Sequence, residues 1–217
     1  MSLSPIQLLS ATGGGLKIII CPGVHSPTLT ESFLEALEME LTASGSSLDL
    51  ADHLLVYPAH QMPAYSGCHL FQFLHRQLAP QVLVDPLLFI GFSAGVVGAI
   101  VAAQMWQSQG GTIAALIALD GWGVPLAGQF PIHRVSHDGF THWSSLCLGG
   151  QGDSFYAEPG TEHLTLWRSP HTVTGYRLPA EPSWLTPSLT RPTTAVRFLT
   201  TLLQCYGKSR PFSEAIP

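Results

Sequence analysis

Charge is what this chain has least of. Asp, Glu, Lys and Arg together make up 11% of its 217 residues, no run of Lys or Arg occurs, and the formal net charge is −5. With no basic stripe to meet phosphates, nucleic acid and anionic membrane surfaces are poor partners for it. No apolar run approaches the roughly 20 residues that a bilayer span requires, so no integral membrane association is expected. The opening MSLSPIQLLSATGGG has neither the positive start nor the cleavage signature of a secretory leader. Its four cysteines, Cys21, Cys68, Cys147 and Cys205, lack C-x-x-C spacing. They read as small hydrophobes in a reducing compartment, not as a disulfide frame, and the expectation is a cytoplasmic protein. G-x-G-x-x-G, a Walker lysine and H-E-x-x-H are also missing, so neither a nucleotide cofactor nor a metal is expected. Oligomeric state has no signature here.

What the chain does have is 46% hydrophobic residues, enough for a sizeable core. Its length suits a single domain spanning residues 1–217, with no repeat and no Pro/Gly/Ser-rich linker. Apolar runs of strand length alternate with segments of helical period. Leu16–Cys21, His53–Tyr57, Leu87–Ile90, Ile113–Leu119 and Ile132–Ser136 read as strands, and a short last one is expected near Phe155–Ala157. Between them, Phe33, Leu34, Leu37 and Leu41 mark a helix entered through a capping box at Thr28 and Glu31. A second helix carries Leu70, Phe71, Leu74 and Leu78. A third runs from Gly95 to about Trp106 and is apolar all round. Pro192 suits the first position of a closing helix that ends at Gly207. Strand–helix alternation predicts an α/β fold, a mainly parallel sheet with helices on both faces. Such sheets place their sites at the carboxyl ends of the strands. The loops opening at Pro22, Pro58, Gly91, Asp120 and His137 should therefore converge.

Gly91-Phe92-Ser93-Ala94-Gly95 fits G-x-S-x-G. The pentapeptide alone is a frequent coincidence in a chain with 21 glycines, and its context is what counts. It follows an apolar strand directly and opens a helix directly, where a nucleophile elbow must lie. The order LKIIICPGVHSP, helix, HLLVY, helix, PLLFIGFSAG, buried helix, IAALIALD resembles the α/β-hydrolase superfamily, in its small lid-less esterase and lipase form. The resemblance implies that Ser93 is a nucleophile. It also implies an oxyanion hole made by the amides of Ala94 and Val24, with Pro22 standing where the family more often has His.

A serine is a poor nucleophile without a base, and the base needs a carboxylate behind it. The family order places both after the serine. Of the histidines after the elbow, His163 is favoured because its stretch HLTLWRSP resembles the His-loop before the closing helix in the smallest lipases of that family, with His142 and His137 as alternates. For the acid, Asp138 follows the fifth strand, Asp120 ends the fourth, and Asp153 lies in GQGDSFY; the order of preference is Asp138, Asp120, Asp153. Trp122, Phe140, Trp143, Tyr156 and Trp167 are concentrated in the same part of the chain, and Trp122 and Trp167 are the expected lining of an apolar acyl pocket. The expectation is a serine hydrolase of esters or thioesters of an apolar acyl group, needing no cofactor and taking a small-molecule acyl substrate. The competing reading is a non-catalytic protein of the same fold that binds a ligand or partner.

Overall fold

Alternate residues of the central strands face opposite layers, and both layers are covered. In the computed structural model, which describes residues 15–78, 85–180 and 191–208, the strands are β1 (Lys17–Cys21), β2 (Leu54–Val56), β3 (Leu87–Phe92), β4 (Ile113–Leu119), β5 (Ile132–Ser136), β6 (Ser154–Ala157), β7 (Thr174–Leu178) and β8 (Arg191–Thr194). The helices are α1 (Pro27–Ala43), α2 (Gly67–Gln77), α3 (Ala94–Ser108), α4 (Gly139–Ser145), α5 (His163–Arg168) and α6 (Ala195–Lys208). The strands form one sheet in the order β2-β1-β3-β4-β5-β6-β7-β8. Every neighbour from β2 to β6 is parallel, and β7 runs antiparallel to both β6 and β8.

Period-2 alternation divides the core in two. Ile18, Ile20, Leu88, Ile90, Ile117 and Val135 pack with α1, α5 and α6, whereas Ile19, Phe89, Leu116 and Ile132 pack with α2 and α3. Burial on both faces is why these strands are continuously apolar in sequence. Among the described residues, no helix is long and apolar enough to cross a membrane.

Three local expectations need revision. Helix α1 has no capping box: it starts at Pro27 after Ser26, whose hydroxyl bonds Thr28 Oγ1 at 2.9 Å instead of a backbone amide. Proline serves there because the first helical residue has no use for an N–H. Pro192 lies in β8, not in the closing helix, which begins at Ala195 and runs past Gly207 to Lys208. As the last strand of the sheet, β8 has a free edge where a missing N–H costs nothing. Finally, β6 is not the last strand, since the β7–β8 pair follows α5.

Candidate active site

Two non-glycine residues among those described have positive φ, and both sit at strand ends on one edge of the sheet. Ser93 has φ 52° and ψ −121° between β3 and α3, and Asp120 has φ 49° directly after β4. Such sparsely populated backbone conformations cost about 1–3 kcal/mol each. The sheet ladder imposes both. Ser93 N–H donates to Leu119 O at 2.9 Å, and Asp120 N–H donates to Val135 O at 2.8 Å. Strain that the surrounding fold maintains at adjacent strand ends is a mark of a functional site.

The Ser93 turn is feasible because the residues two before and two after it, Gly91 and Gly95, have no side chains. A Cβ on Gly95 would lie 2.1 Å from Cys21 O, and one on Gly91 would lie 3.0 Å from Val96 Cα. Pressed against the turn is the loop after β1, where a Cβ on Gly23 would be 3.2 Å from Ser93 Cβ. Ala94 is the first residue of α3, so its N–H has no acceptor within the helix. Val24, next to Gly23, is 78% exposed.

Asp120 turns its carboxylate inward, leaving the side chain 1% exposed. Its Oδ1 accepts the backbone N–H of His137 at 2.8 Å, and its Oδ2 accepts Nδ1–H of His163 at 2.8 Å. Because Nδ1 of His163 donates there, Nε2 is left as the acceptor nitrogen. Nδ1 of His137 also lies 2.9 Å from Asp120 Oδ2, but without hydrogen-bond alignment. This contact holds the His137 imidazole above its ordinary pKa, against the opposing effect of burial.

An aromatic stack sets the plane of the His163 ring. Phe33 stacks on Trp167 at 3.8 Å, Trp167 on Phe92 at 5.0 Å, and Phe92 on His163 at 4.7 Å with 21° between planes. Phe92, the residue before Ser93, thus links the two candidate side chains, from a position of G-x-S-x-G that any residue can fill and that therefore gives no sequence signal. His25, equally without a signal, has its ring 5.7 Å from Phe92 and a buried Nε2 with no hydrogen-bond partner among the described residues.

The remaining candidates are placed elsewhere. Asp138, the first choice for the acid, caps α4 by accepting Thr141 N–H at 2.6 Å, and its nearest imidazole is His137, at 3.5 Å from Nε2. The structure pairs His163 with Asp120 instead. Asp153 directly precedes β6, where it accepts from Arg177 Nη2, from Arg177 Nε at 3.0 Å and from Ala180 N–H at 2.9 Å. His142 is fully buried with neither ring nitrogen hydrogen-bonded, between Trp143 and Tyr156. Burial, and after it the Arg134 charge, pushes its pKa down to about 4. It has no contact with Asp120 among the interactions described. Trp167 is 0% exposed and donates to Thr30 Oγ1 at 3.3 Å, so it supports the stack instead of lining an open pocket. Trp122 is 61% exposed and donates to Ser144 Oγ at 3.0 Å.

No family model and no curated protein sequence matches the chain. Several solved structures are similar, two of them as follows. One is a provisionally assigned hydrolase of the α/β superfamily from Xanthomonas campestris pv. campestris, 17% identical, with a TM-score of 0.47, covering 88% of this chain and 99% of that one. The other is YbtT, a type II thioesterase from the yersiniabactin NRPS/PKS biosynthetic pathway, 18% identical, with a TM-score of 0.33, covering 52% of this chain and 44% of that one.

Proposed function

We propose that the protein is a serine hydrolase of carboxylic esters or thioesters, with Ser93 as nucleophile, His163 as general base and Asp120 as the acid that orients it. The observation that carries this reading is the 2.8 Å bond from His163 Nδ1–H to the buried Asp120 carboxylate, beside the strained turn at Ser93. Asp120 takes the role first given to Asp138 because its left-handed backbone turns the carboxylate toward the histidines. One oxygen of the Asp138 carboxylate, Oδ1, is taken by the α4 N-terminus.

With Nδ1–H donated to Asp120, His163 offers its Nε2 lone pair to the Ser93 hydroxyl. As Ser93 Oγ attacks the acyl carbonyl, its proton passes to Nε2 and the imidazolium forms against the Asp120 charge. The oxyanion is held by Ala94 N–H and, from the adjoining loop, Val24 N–H. The leaving alkoxide or thiolate takes the proton from Nε2, and water repeats the cycle on the acyl-enzyme with His163 again the base. Val24 and Trp122, on the loops after β1 and β4, and Phe140, in the first turn of α4, are exposed apolar residues. They favour an apolar acyl or leaving group at an open site.

Hydrolysis of p-nitrophenyl acetate and of an acetyl thioester, compared among the wild type, Ser93→Ala and His163→Ala, tests the assignment. Both variants should lose at least about 10³-fold in kcat. A Ser93→Ala protein that hydrolyses either substrate at the wild-type rate would overturn it.

A further inference from the structure

Asp120 is approached by one more imidazole than a catalytic triad needs. Nδ1 of His163 and Nδ1 of His137 lie 2.8 and 2.9 Å from the same carboxylate oxygen. His163 makes an aligned hydrogen bond there. The His137 nitrogen is buried and makes none. One ligand atom from each of Asp120, His137 and His163 lies within 4.8 Å of the other two. A tetrahedral zinc site with bonds of 2.0–2.1 Å separates its ligand atoms by about 3.3 Å. Both carboxylate–nitrogen separations are therefore within about half an ångström of the required edge. Asp138 completes the pattern: its Oδ2 lies 3.5 Å from His137 Nε2, where a carboxylate habitually receives the second ring N–H of a metal-bound histidine.

We propose that Asp120, His137 and His163 bind a divalent late-transition cation such as Zn²⁺, and that the bound ion blocks hydrolysis. Two imidazoles and one carboxylate select Zn²⁺, Co²⁺ or Cu²⁺ over Mg²⁺ and Ca²⁺. A ring bound to the ion through Nδ1 keeps one proton, on Nε2, and any second proton is released to solvent. On His137 that proton faces Asp138. On His163 it occupies the lone pair that would have taken the Ser93 proton, so the ring cannot serve as a base while the ion is bound. The block rests on the proposed role of His163, whereas the binding site does not. The sequence held no sign of this site because its three ligands come from three separate elements, after β4, after β5 and at the start of α5, with no short spacing between them.

Binding is read without activity, by calorimetry with Zn²⁺ and by the d–d absorption of Co²⁺, on the wild type and on His137→Gln. Hydrolysis of p-nitrophenyl acetate is then followed against Zn²⁺, relative to each protein's own metal-free rate. The expected result is one high-affinity ion per chain, weakened at least about tenfold in His137→Gln. Wild-type hydrolysis should fall in step with occupancy and recover with EDTA. No binding, or binding equal in the variant, would overturn the proposal while leaving Ser93-dependent hydrolysis intact. Full occupancy by Zn²⁺ with undiminished hydrolysis would overturn the block, and with it His163 as the base, but not the ion site.

Discussion

Replacing Asp120 by Asn removes one charge and changes almost no volume, at a carboxylate with 1% of its side chain exposed. Two consequences can be given magnitudes. When His163 accepts the serine proton it becomes a cation whose charge centre is roughly 4 Å from the carboxylate. At an effective dielectric constant near 20, that attraction is about 4 kcal/mol, or close to 10³-fold in rate. The amide also offers an N–H that competes with Nδ1–H and favours the wrong tautomer of the imidazole. Losing the acid of such a triad typically costs about 10⁴-fold in kcat. The expected fall for Asp120→Asn is therefore 10³- to 10⁴-fold in kcat for p-nitrophenyl acetate, with KM little changed. Asp138→Asn is the matched control, because Asn caps a helix about as well as Asp. It should keep kcat within a few-fold. Thermal unfolding of both variants would verify that they fold. If Asp120→Asn stayed within tenfold of wild type while Asp138→Asn collapsed, the acid would be Asp138 and the geometric argument would be refuted.

The stack beneath His163 should matter for rate as well as stability. Phe92→Leu retains most of the volume, so it should cost about 1.5 kcal/mol or less in denaturant unfolding but about tenfold in kcat as the ring loosens; an unchanged kcat would show that the stack does not position the imidazole. In Gly23→Ala the new methyl would meet Phe92 O at 3.1 Å and Ser93 Cβ at 3.2 Å, displacing the loop that carries Val24. Its kcat should fall about tenfold, short of the 10²- to 10³-fold expected when an oxyanion donor is lost altogether. His142 predicts an acid-sensitive stability. Its folded pKa, near 4, is below the ordinary 6.5, so the unfolded chain binds the proton first and stability is lost as pH falls from about 6.5 to about 4. Between about pH 7.5 and about pH 5 this amounts to about 2 kcal/mol. His142→Leu should flatten that part of the stability–pH curve and leave hydrolysis intact, and an unchanged slope would show that another group is responsible.

The central strands were legible because burial on both faces leaves an unmistakable composition. Ile113–Leu119 and Ile132–Ser136 occur with the boundaries read from sequence. The last two strands were not legible, since Thr174–Leu178 and Arg191–Thr194 are largely half-exposed at the sheet edge and carry no clear alternation. Pro192 then suggested a helix start where an edge strand lies. At the site, G-x-S-x-G in its strand–helix context pointed to Ser93, and residue order after it pointed to His163. The carboxylate was harder. Asp120 and Asp138 both follow a strand and precede a glycine, so composition cannot separate them. What separates them is backbone conformation: Asp120 is left-handed and turned inward, while Asp138 is extended and caps a helix. Trp167 illustrates the same difficulty. Its position beside His163 suggested a pocket, but its ring faces the core, where Phe33 and Phe92 enclose it.

The most direct test of the catalytic assignment is labelling with a fluorophosphonate, followed by peptide mapping of the adduct. The account predicts one phosphonate per chain on Ser93, absent in Ser93→Ala and strongly slowed in His163→Ala and Asp120→Asn. A folded protein that takes no label, or takes it on another residue, would contradict an activated serine at this turn.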